Sequence, residues 1–317
     1  MDIYEYDVAV TSRSFSKNST LRNETLSRYK RVKFNDEGFN FDGDGLVKFL
    51  AGAEKAIIAL DHINDDVLSQ LPDLKVISKY GVGLNNIDFE AMKKHNVLLG
   101  WKGGVNKRAV TELTLAAILS MSRNLFQQNN ELKDGCWNPL FGKNLSGKSI
   151  GIIGLGHIGK DVAKFVKMFG CDVFVYDVKD YRDLCIENGL HFVDLKTLIT
   201  SSNIISLHVP LDKVTHHLIE ESLLSIMKQD VFIINTCRGG VVSEDALYDF
   251  LKTHPNAKAF FDVFENEPVT QNPLLELNNF IASPHIGGTT EESVLAMGRS
   301  AIVNLESAME ANEESFR

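Results

Sequence analysis

Short apolar, β-branched runs alternate with longer stretches of helical spacing almost from one end of the chain to the other. In the first hundred residues Val8-Ala9-Val10 and the runs 56–60, 75–80 and 97–99 predict strands, and residues 89–95 suit a helix. Alternation of this kind favours a parallel sheet covered by helices, because parallel neighbours need a crossover and a helix is the usual one. Residues 109–128 then read as one long helix. Leu113, Leu115, Ala116, Ala117, Ile118, Leu119 and Met121 leave it little polar face, so it should be buried within the fold or against another subunit. After a loop with Gly135, Pro139, Gly142 and Gly147, strand-like runs resume at 149–153, 172–176, 204–209, 231–235, 259–264 and 280–282. Six parallel strands with intervening helices make a complete doubly wound domain. A last helical stretch, 291–309, would return to cover the first domain.

Length agrees with this division: 317 residues suit two domains at the usual ~100–200 each. No repeat or Pro/Ser-rich linker separates them, so they should pack with a cleft between. The balance of 33 Lys and Arg against 42 Asp and Glu gives a net charge of −9, which disfavours nucleic acid and anionic membranes as partners. No apolar run approaches the ~20 residues of a membrane span. The acidic opening Met1-Asp2-Ile3-Tyr4-Glu5-Tyr6-Asp7 lacks the layout of a signal peptide. Cys136, Cys171, Cys185 and Cys237 form no C-x-x-C pair and no zinc-ligand spacing. A cytoplasmic protein with free thiols and no metal is expected.

Gly154-Leu155-Gly156-His157-Ile158-Gly159 is a G-x-G-x-x-G, weak alone and strong in its setting. The strand run 149–153 precedes it, and a helix over 160–169, closed by Gly170, follows. The first glycine permits the tight turn, the second lets a pyrophosphate approach the backbone, and the third lets helix and strand pack closely. The pyrophosphate would sit on free N–H groups at the positive end of the helix. Asp177 ends the next strand 18 residues past Gly159, near the ~20 expected of a ribose-binding acid. A carboxylate there accepts from both ribose hydroxyls and repels a 2′-phosphate, which favours NAD over NADP.

Three late strands end in polar segments out of character for a core: Asn235-Thr236-Cys237-Arg238-Gly239-Gly240, Asp262 to Pro268, and Ser283-Pro284-His285-Ile286-Gly287-Gly288. An arginine, an acid and a histidine at such ends would face one crevice. A guanidinium fork fits a carboxylate. Histidine titrates near neutrality, and a carboxylate beside it favours the charged form and fixes its orientation.

With these segments, Lys79-Tyr80-Gly81-Val82-Gly83-Leu84-Asn85-Asn86-Ile87-Asp88 and Leu207-His208-Val209-Pro210-Leu211 complete a set of ordered motifs across nearly the whole chain. The sequence resembles the D-isomer-specific 2-hydroxyacid dehydrogenases, which include D-3-phosphoglycerate and glyoxylate/hydroxypyruvate enzymes. The resemblance implies an α/β fold of two doubly wound parallel-sheet domains, a Rossmann cofactor domain (105–287) inserted in a smaller flavodoxin-like substrate domain (1–104 and 288–317). It implies hydride transfer between NAD and C2 of a small 2-hydroxy or 2-keto acid. Arg238 would hold the carboxylate, His285 would exchange the proton, and Glu267 would orient it. Lys79, Tyr80, Val82 and Gly83 would meet the substrate. Gly154, Gly156, His157, Ile158, Gly159, Asp177, His208, Val209, Pro210, Thr236, Cys237, Asp262, Gly287 and Gly288 would line the cofactor, with Asp262 on the nicotinamide carboxamide. A homodimer joined through the cofactor domain is also implied, and would explain the apolar helix over 109–128.

Some positions depart from the family pattern. Cys237 stands where alanine is common and His157 where arginine is common, and the crossing from Gly100 to Asn106 differs in detail. Lys79 would meet a phosphate or second carboxylate, or would sit in solvent. The end of the second strand, Ala59-Leu60-Asp61-His62, lacks the arginine of phosphoglycerate enzymes, and Arg13 would either replace it or be solvated. A chain ending near 317 is expected to lack an appended regulatory domain. D-3-phosphoglycerate dehydrogenase, phosphite dehydrogenase and a non-catalytic NAD(H)-sensing corepressor stay open as alternatives.

Overall fold

The computed structural model describes residues 4–312; residues 1–3 of the acidic opening and residues 313–317 lie outside the described residues. Lys107–Gly288 form one compact unit, and the described residues up to Asn106 and from Thr289 onward form another.

The first unit carries β1 (Tyr6–Val10), β2 (Val32–Phe34), β3 (Ala53–Ile58), β4 (Val76–Lys79) and β5 (Leu98–Gly100). They pair in parallel in the order β5-β4-β3-β1-β2. Ala56 and Ile58 face one apolar cluster and Ile57 the other, so β3 is buried on both sides. That explains why it reads as a continuous apolar run.

The second unit carries β6 (Ser149–Ile153), β7 (Asp172–Tyr176), β8 (His191–Phe192), β9 (Ile204–Leu207), β10 (Phe232–Asn235), β11 (Lys258–Phe261) and β12 (Phe280–Ala282). Their order is β12-β11-β10-β9-β6-β7-β8, all parallel. From β6 the chain builds outward through β7 and β8, then returns to lay β9 to β12 on the other side. The reversal lies between β6 and β9, and beyond the carboxyl ends of such a pair a doubly wound sheet leaves a crevice. Ile150 and Ile152 face the cluster shared with Ala117, Ile118 and Val162, while Ile153 faces Ile205 and Leu207. Helices thus cover both faces. Among the described residues no helix is long and apolar enough to cross a membrane.

Several elements differ from the sequence reading. The helix expected over 109–128 is two, Lys107–Ser122 and Leu125–Lys133. They are separated at Asn124, whose φ of +52° is left-handed and ends the helical repeat. The Lys258 ammonium holds that break, donating to the Met121 carbonyl at 3.2 Å and to the Asn124 side chain, a cation at a helix C-terminus. Nor is this stretch buried all round, since Leu119, Leu125 and Leu132 are exposed. The helix expected over 291–309 stops at Asn304, and β13 (Met309–Glu310) pairs antiparallel with β5, covering an edge that would otherwise be open. β8 has only two residues, too short to show a period, and β2 places Lys33 between Val32 and Phe34, so it offers no apolar run.

The return of the last helix to the first unit rests on close backbone contact. A Cβ built on Gly100 would lie 2.3 Å from the Asn304 carbonyl oxygen. Gly100→Ala is therefore expected to lower stability by about 1–3 kcal/mol through overpacking. Urea unfolding checks this, and an unchanged midpoint would mean that β5 and the helix separate without cost.

Candidate active site

β6 ends at Ile153 and the chain turns at Gly154, whose φ is +94°. An ideal Cβ there would lie 2.6 Å from the His208 carbonyl oxygen, so the turn closes against the end of β9, at the reversal of the sheet. At Gly159 a Cβ would lie 2.0 Å from the Gly154 carbonyl oxygen, so the helix His157–Met168 begins directly on the turn. At Gly156 no atom of the described residues beyond its two chain neighbours stands within 4 Å of a Cβ, leaving open space over the middle glycine. The backbone N–H groups of Gly156, His157, Ile158 and Gly159 find no acceptor among the described residues. Four donors thus lie free at the positive end of a helix, beside a space that a phosphate can fill.

Asp177, at the end of β7, accepts from the Leu155 N–H at 2.6 Å and from the Lys179 N–H at 2.8 Å, one on each oxygen. Each oxygen keeps a lone pair, so the carboxylate can still accept from a diol. His208 meets the Ser206 hydroxyl through Nε2 at 2.9 Å, and burial pushes its imidazole down to about 3, which keeps it neutral. Its Nδ1 is buried without a partner among the described residues, a polar atom that a ligand can satisfy. Val209 packs onto Gly154, Pro210 is exposed, and His157 is exposed at the helix start. Phosphate donors, a diol acceptor and an orphaned ring nitrogen together fit a dinucleotide.

β10, β11 and β12 lie side by side, Asn235 opposite Phe261 and Phe261 opposite Ala282. Arg238, Asp262 and His285 therefore leave the sheet at adjacent ends. Asn235, fully buried, shapes the first turn: its side chain accepts from the Cys237 N–H at 3.1 Å and donates to the Arg238 carbonyl at 2.9 Å. The sequence reading gave Asn235 no role, although an asparagine between a strand and a Gly-Gly pair is a turn signal. The Thr236 hydroxyl meets Thr114 Oγ1 at 2.9 Å, and because Thr114 donates to the Val110 carbonyl, Thr236 is the donor, engaged with the chain itself. Arg238 donates to the Cys237 carbonyl at 2.5 Å and has no carboxylate in ion-pair range among the described residues.

Asp262 is 1% exposed, and its carboxylate gathers the next strand's loop. Oδ1 accepts from the Ser283 hydroxyl at 2.5 Å and the Ile286 N–H at 2.8 Å, and Oδ2 from the Gly287 N–H at 2.7 Å. A single lone pair remains on Oδ2 for any carboxamide. Gly287 is buried against this carboxylate and Gly288 is half-buried. The same loop holds His285 at a φ of +53°, with its N–H on the Asp262 carbonyl at 2.9 Å. His285 Nδ1 meets Glu267 Oε2 at 2.6 Å, and Glu267 Oε1 accepts from the Phe264 N–H at 2.9 Å. Burial alone would raise the Glu267 carboxyl. The bonds from His285 and Phe264, with the charges of His285 and Arg238, outweigh it and hold the carboxyl below its ordinary range.

In the other unit Lys79 does not sit in solvent. It ends the interior strand β4 and is 5% exposed, and its ammonium donates to the Ala59 carbonyl and, at 2.8 Å, to Asn86 Oδ1. A charge carried inward on a buried strand must be satisfied where it lies, and these acceptors do so. Tyr80 is buried edge-to-face against Phe15 at 5.5 Å. The Val82 and Gly83 N–H groups have no acceptor among the described residues, while the Val82 carbonyl accepts from Trp101 Nε1 at 3.1 Å. Arg13 is exposed.

Residues 115–287 match the family described as D-isomer specific 2-hydroxyacid dehydrogenase, NAD binding domain. A glyoxylate reductase of Thermofilum pendens is 39% identical over 253 residues, 77% of this chain and 75% of its own. A D-3-phosphoglycerate dehydrogenase of Methanocaldococcus jannaschii is 38% identical over 239 residues, 74% of this chain, and the match spans only 46% of that relative's length. The structure of D-lactate dehydrogenase from Aquifex aeolicus, complexed with NAD and lactic acid, aligns with a TM-score of 0.84 at 30% identity. That alignment covers 95% of this chain and 94% of that one.

The cysteine at the site is inert by its surroundings. Cys237 is buried and its thiol is pushed up to about 11 by burial, as is that of Cys171, while burial also raises Cys185. Cys136 is exposed. In the native protein at neutral pH a thiol reagent should label Cys136, with Cys171, Cys185 and Cys237 reacting only after unfolding. Peptide mapping of the label checks this, and rapid labelling of Cys237 would contradict its burial.

Proposed function

The chain belongs to the D-isomer-specific 2-hydroxyacid dehydrogenase family and is an NAD-dependent oxidoreductase; on that premise we propose that it interconverts a small 2-keto acid and the D-2-hydroxy acid, with His285 as acid and base, Glu267 as its partner and Arg238 as the carboxylate anchor. The observation that carries this reading is the 2.6 Å contact between His285 and Glu267, beside an arginine that has no carboxylate of its own. When bound, the cofactor carries the hydride exchanged with C2.

Glu267, held ionised, can only accept, so Nδ1 of His285 carries a proton and Nε2 is the nitrogen that exchanges one with the substrate oxygen. In reduction the imidazolium donates to the carbonyl oxygen; in oxidation the neutral ring takes the hydroxyl proton. Arg238 grips the carboxylate with parallel N–H bonds, and its charge stabilises negative charge developing on the neighbouring oxygen. Asp177 would accept from the adenosine ribose hydroxyls, and the last lone pair on Asp262 would suit the carboxamide. The free Val82 and Gly83 N–H groups suit a carboxylate. Lys79, already engaged by Ala59 and Asn86, is ill placed to take a phosphate, which favours unphosphorylated substrates.

Purified protein assayed with NADH, and with NADPH in parallel, should reduce one or more of glyoxylate, hydroxypyruvate, pyruvate and branched 2-keto acids. NADH should be preferred because of Asp177. Phosphohydroxypyruvate as the best substrate would overturn the reading of Lys79, and silence across all of them with NADH still bound would overturn the activity. His285→Ala should lower turnover about 10²–10⁴-fold with NADH binding intact, and an equal loss of cofactor binding would sink its role.

We also propose that the protein is a homodimer. Within one stretch of the Lys107–Gly288 unit, Leu119, Leu125, Phe126 and Leu132 are exposed, Trp137 is 84% exposed and Phe141 is fully exposed. Aromatic and aliphatic surface on this scale is what a second copy would cover. Light scattering should give twice 35.3 kDa, falling toward one chain in Trp137→Ala/Phe141→Ala. A wild-type mass of one chain would exclude the dimer.

A further inference from the structure

We propose that His217, paired with Glu265, is a positioning residue for the proton exchange at His285, clamping the segment that bears Glu267 to the segment that bears Arg238; this rests on the roles proposed above. Glu267 takes its orientation from the turn that precedes it. One carboxylate oxygen accepts from the Phe264 N–H and the other meets His285, so any drift of Phe264 and Glu265 moves both bonds. That turn lies directly on the arginine segment. A Cβ on Gly239 would fall 1.9 Å from the Phe264 carbonyl oxygen and 2.5 Å from the Glu265 nitrogen, so the two backbones touch without a side chain between them. Close approach alone gives no lateral hold.

His217 supplies that hold from a loop outside both segments. Its N–H donates to the Gly240 carbonyl at 2.7 Å, two residues past Arg238, and its Nε2 meets Glu265 Oε1 at 2.9 Å, two residues before Glu267. One residue is therefore fastened to both segments, on either side of the contact at Gly239. His217 does so at a φ of +51°, a backbone conformation that is unfavourable for a residue with a side chain and persists where its surroundings over-determine it. His216 stacks on its ring, with centroids 3.9 Å apart at 23°. Glu244 secures the turn from the opposite side, accepting from the Glu265 N–H at 2.7 Å and the Asn272 side chain at 2.7 Å. With the His217 pair gone, Glu265 would keep its bond to Glu244 but lose its tie to the arginine segment, and Glu267 could swing away from His285.

The test uses His217→Gly, because glycine adopts the left-handed backbone and the substitution removes the imidazole without disturbing the loop. Glyoxylate reduction with NADH is measured in His217→Gly, in Glu265→Ala, which breaks the pair from its other side, in Glu267→Gln, and in His217→Gly/Glu267→Gln. A displaced catalytic partner should lower kcat about tenfold in each of the first two variants, with KM for NADH unchanged. In the Glu267→Gln background the His217→Gly effect should shrink to less than about twofold, because the group it positions is already gone. A His217→Gly kcat within twofold of wild type, beside a damaged Glu267→Gln, would overturn the clamp and leave the proposed roles standing. The same tenfold loss in both backgrounds would also overturn it, marking a general structural effect. An unimpaired Glu267→Gln would overturn both the clamp and the role of Glu267.

Discussion

A carboxylate with no route to water must be satisfied by the chain around it, and in this protein that group is Asp262. Its position one residue beyond β11 is a consequence of the sheet, since β11 is flanked on both sides and its end is buried. Leaving such a group unpaired would cost several kcal/mol. The donors it recruits are the Ser283 hydroxyl and the N–H groups of Ile286 and Gly287, all in the loop after β12. Closing that loop on a fixed carboxylate leaves His285 at the crest in a left-handed conformation, with its imidazole turned to Glu267. The acid expected to serve the cofactor thus also builds the loop that carries His285.

The glycine turn obeys a different constraint, that of space. Gly154 and Gly159 are required because the neighbouring carbonyls of His208 and Gly154 occupy the positions their side chains would take, whereas Gly156 faces an opening. Two of the three glycines make the turn possible and the third leaves open space beside it. The sheet reversal between β6 and β9 brings His208, with its orphaned nitrogen, to the rim of the same turn.

Burial sorts the polar groups of this chain into those that are spent and those that are available. Lys79, Thr236 and most of Asp262 are spent on carbonyls, a hydroxyl and loop amides of the chain itself. Arg238, the Val82 and Gly83 amides and the four amides of the glycine turn keep their capacity. The available groups are mostly donors, which suits the carboxylate of the substrate proposed above and the pyrophosphate of NAD.

Much of this was legible in one dimension. Buried parallel strands announce themselves as apolar runs, the glycine hexamer is meaningful because a strand precedes it and a helix follows, and the polar segments at 235–240, 262–268 and 283–288 stand out because polar residues at the ends of buried strands need a reason to be there. The break at Asn124 was not legible, because it depends on Lys258 arriving from a distant strand to cap the helix. The two-residue strands β8 and β13 were not legible either, being too short to carry a period, nor was β2, whose run is broken by Lys33. Sequence alone determined the fold class, the strand, glycine turn and helix at 149–168 and the place of the three late segments, since each follows from local pattern and order along the chain. Only the tertiary structure decided that Lys79 is spent, that Asp262 holds the histidine loop, and that His217 meets Glu265. Those facts depend on which atoms of separate segments are brought within 3 Å of one another, and hydrogen-bond capacity is allotted by distance in space.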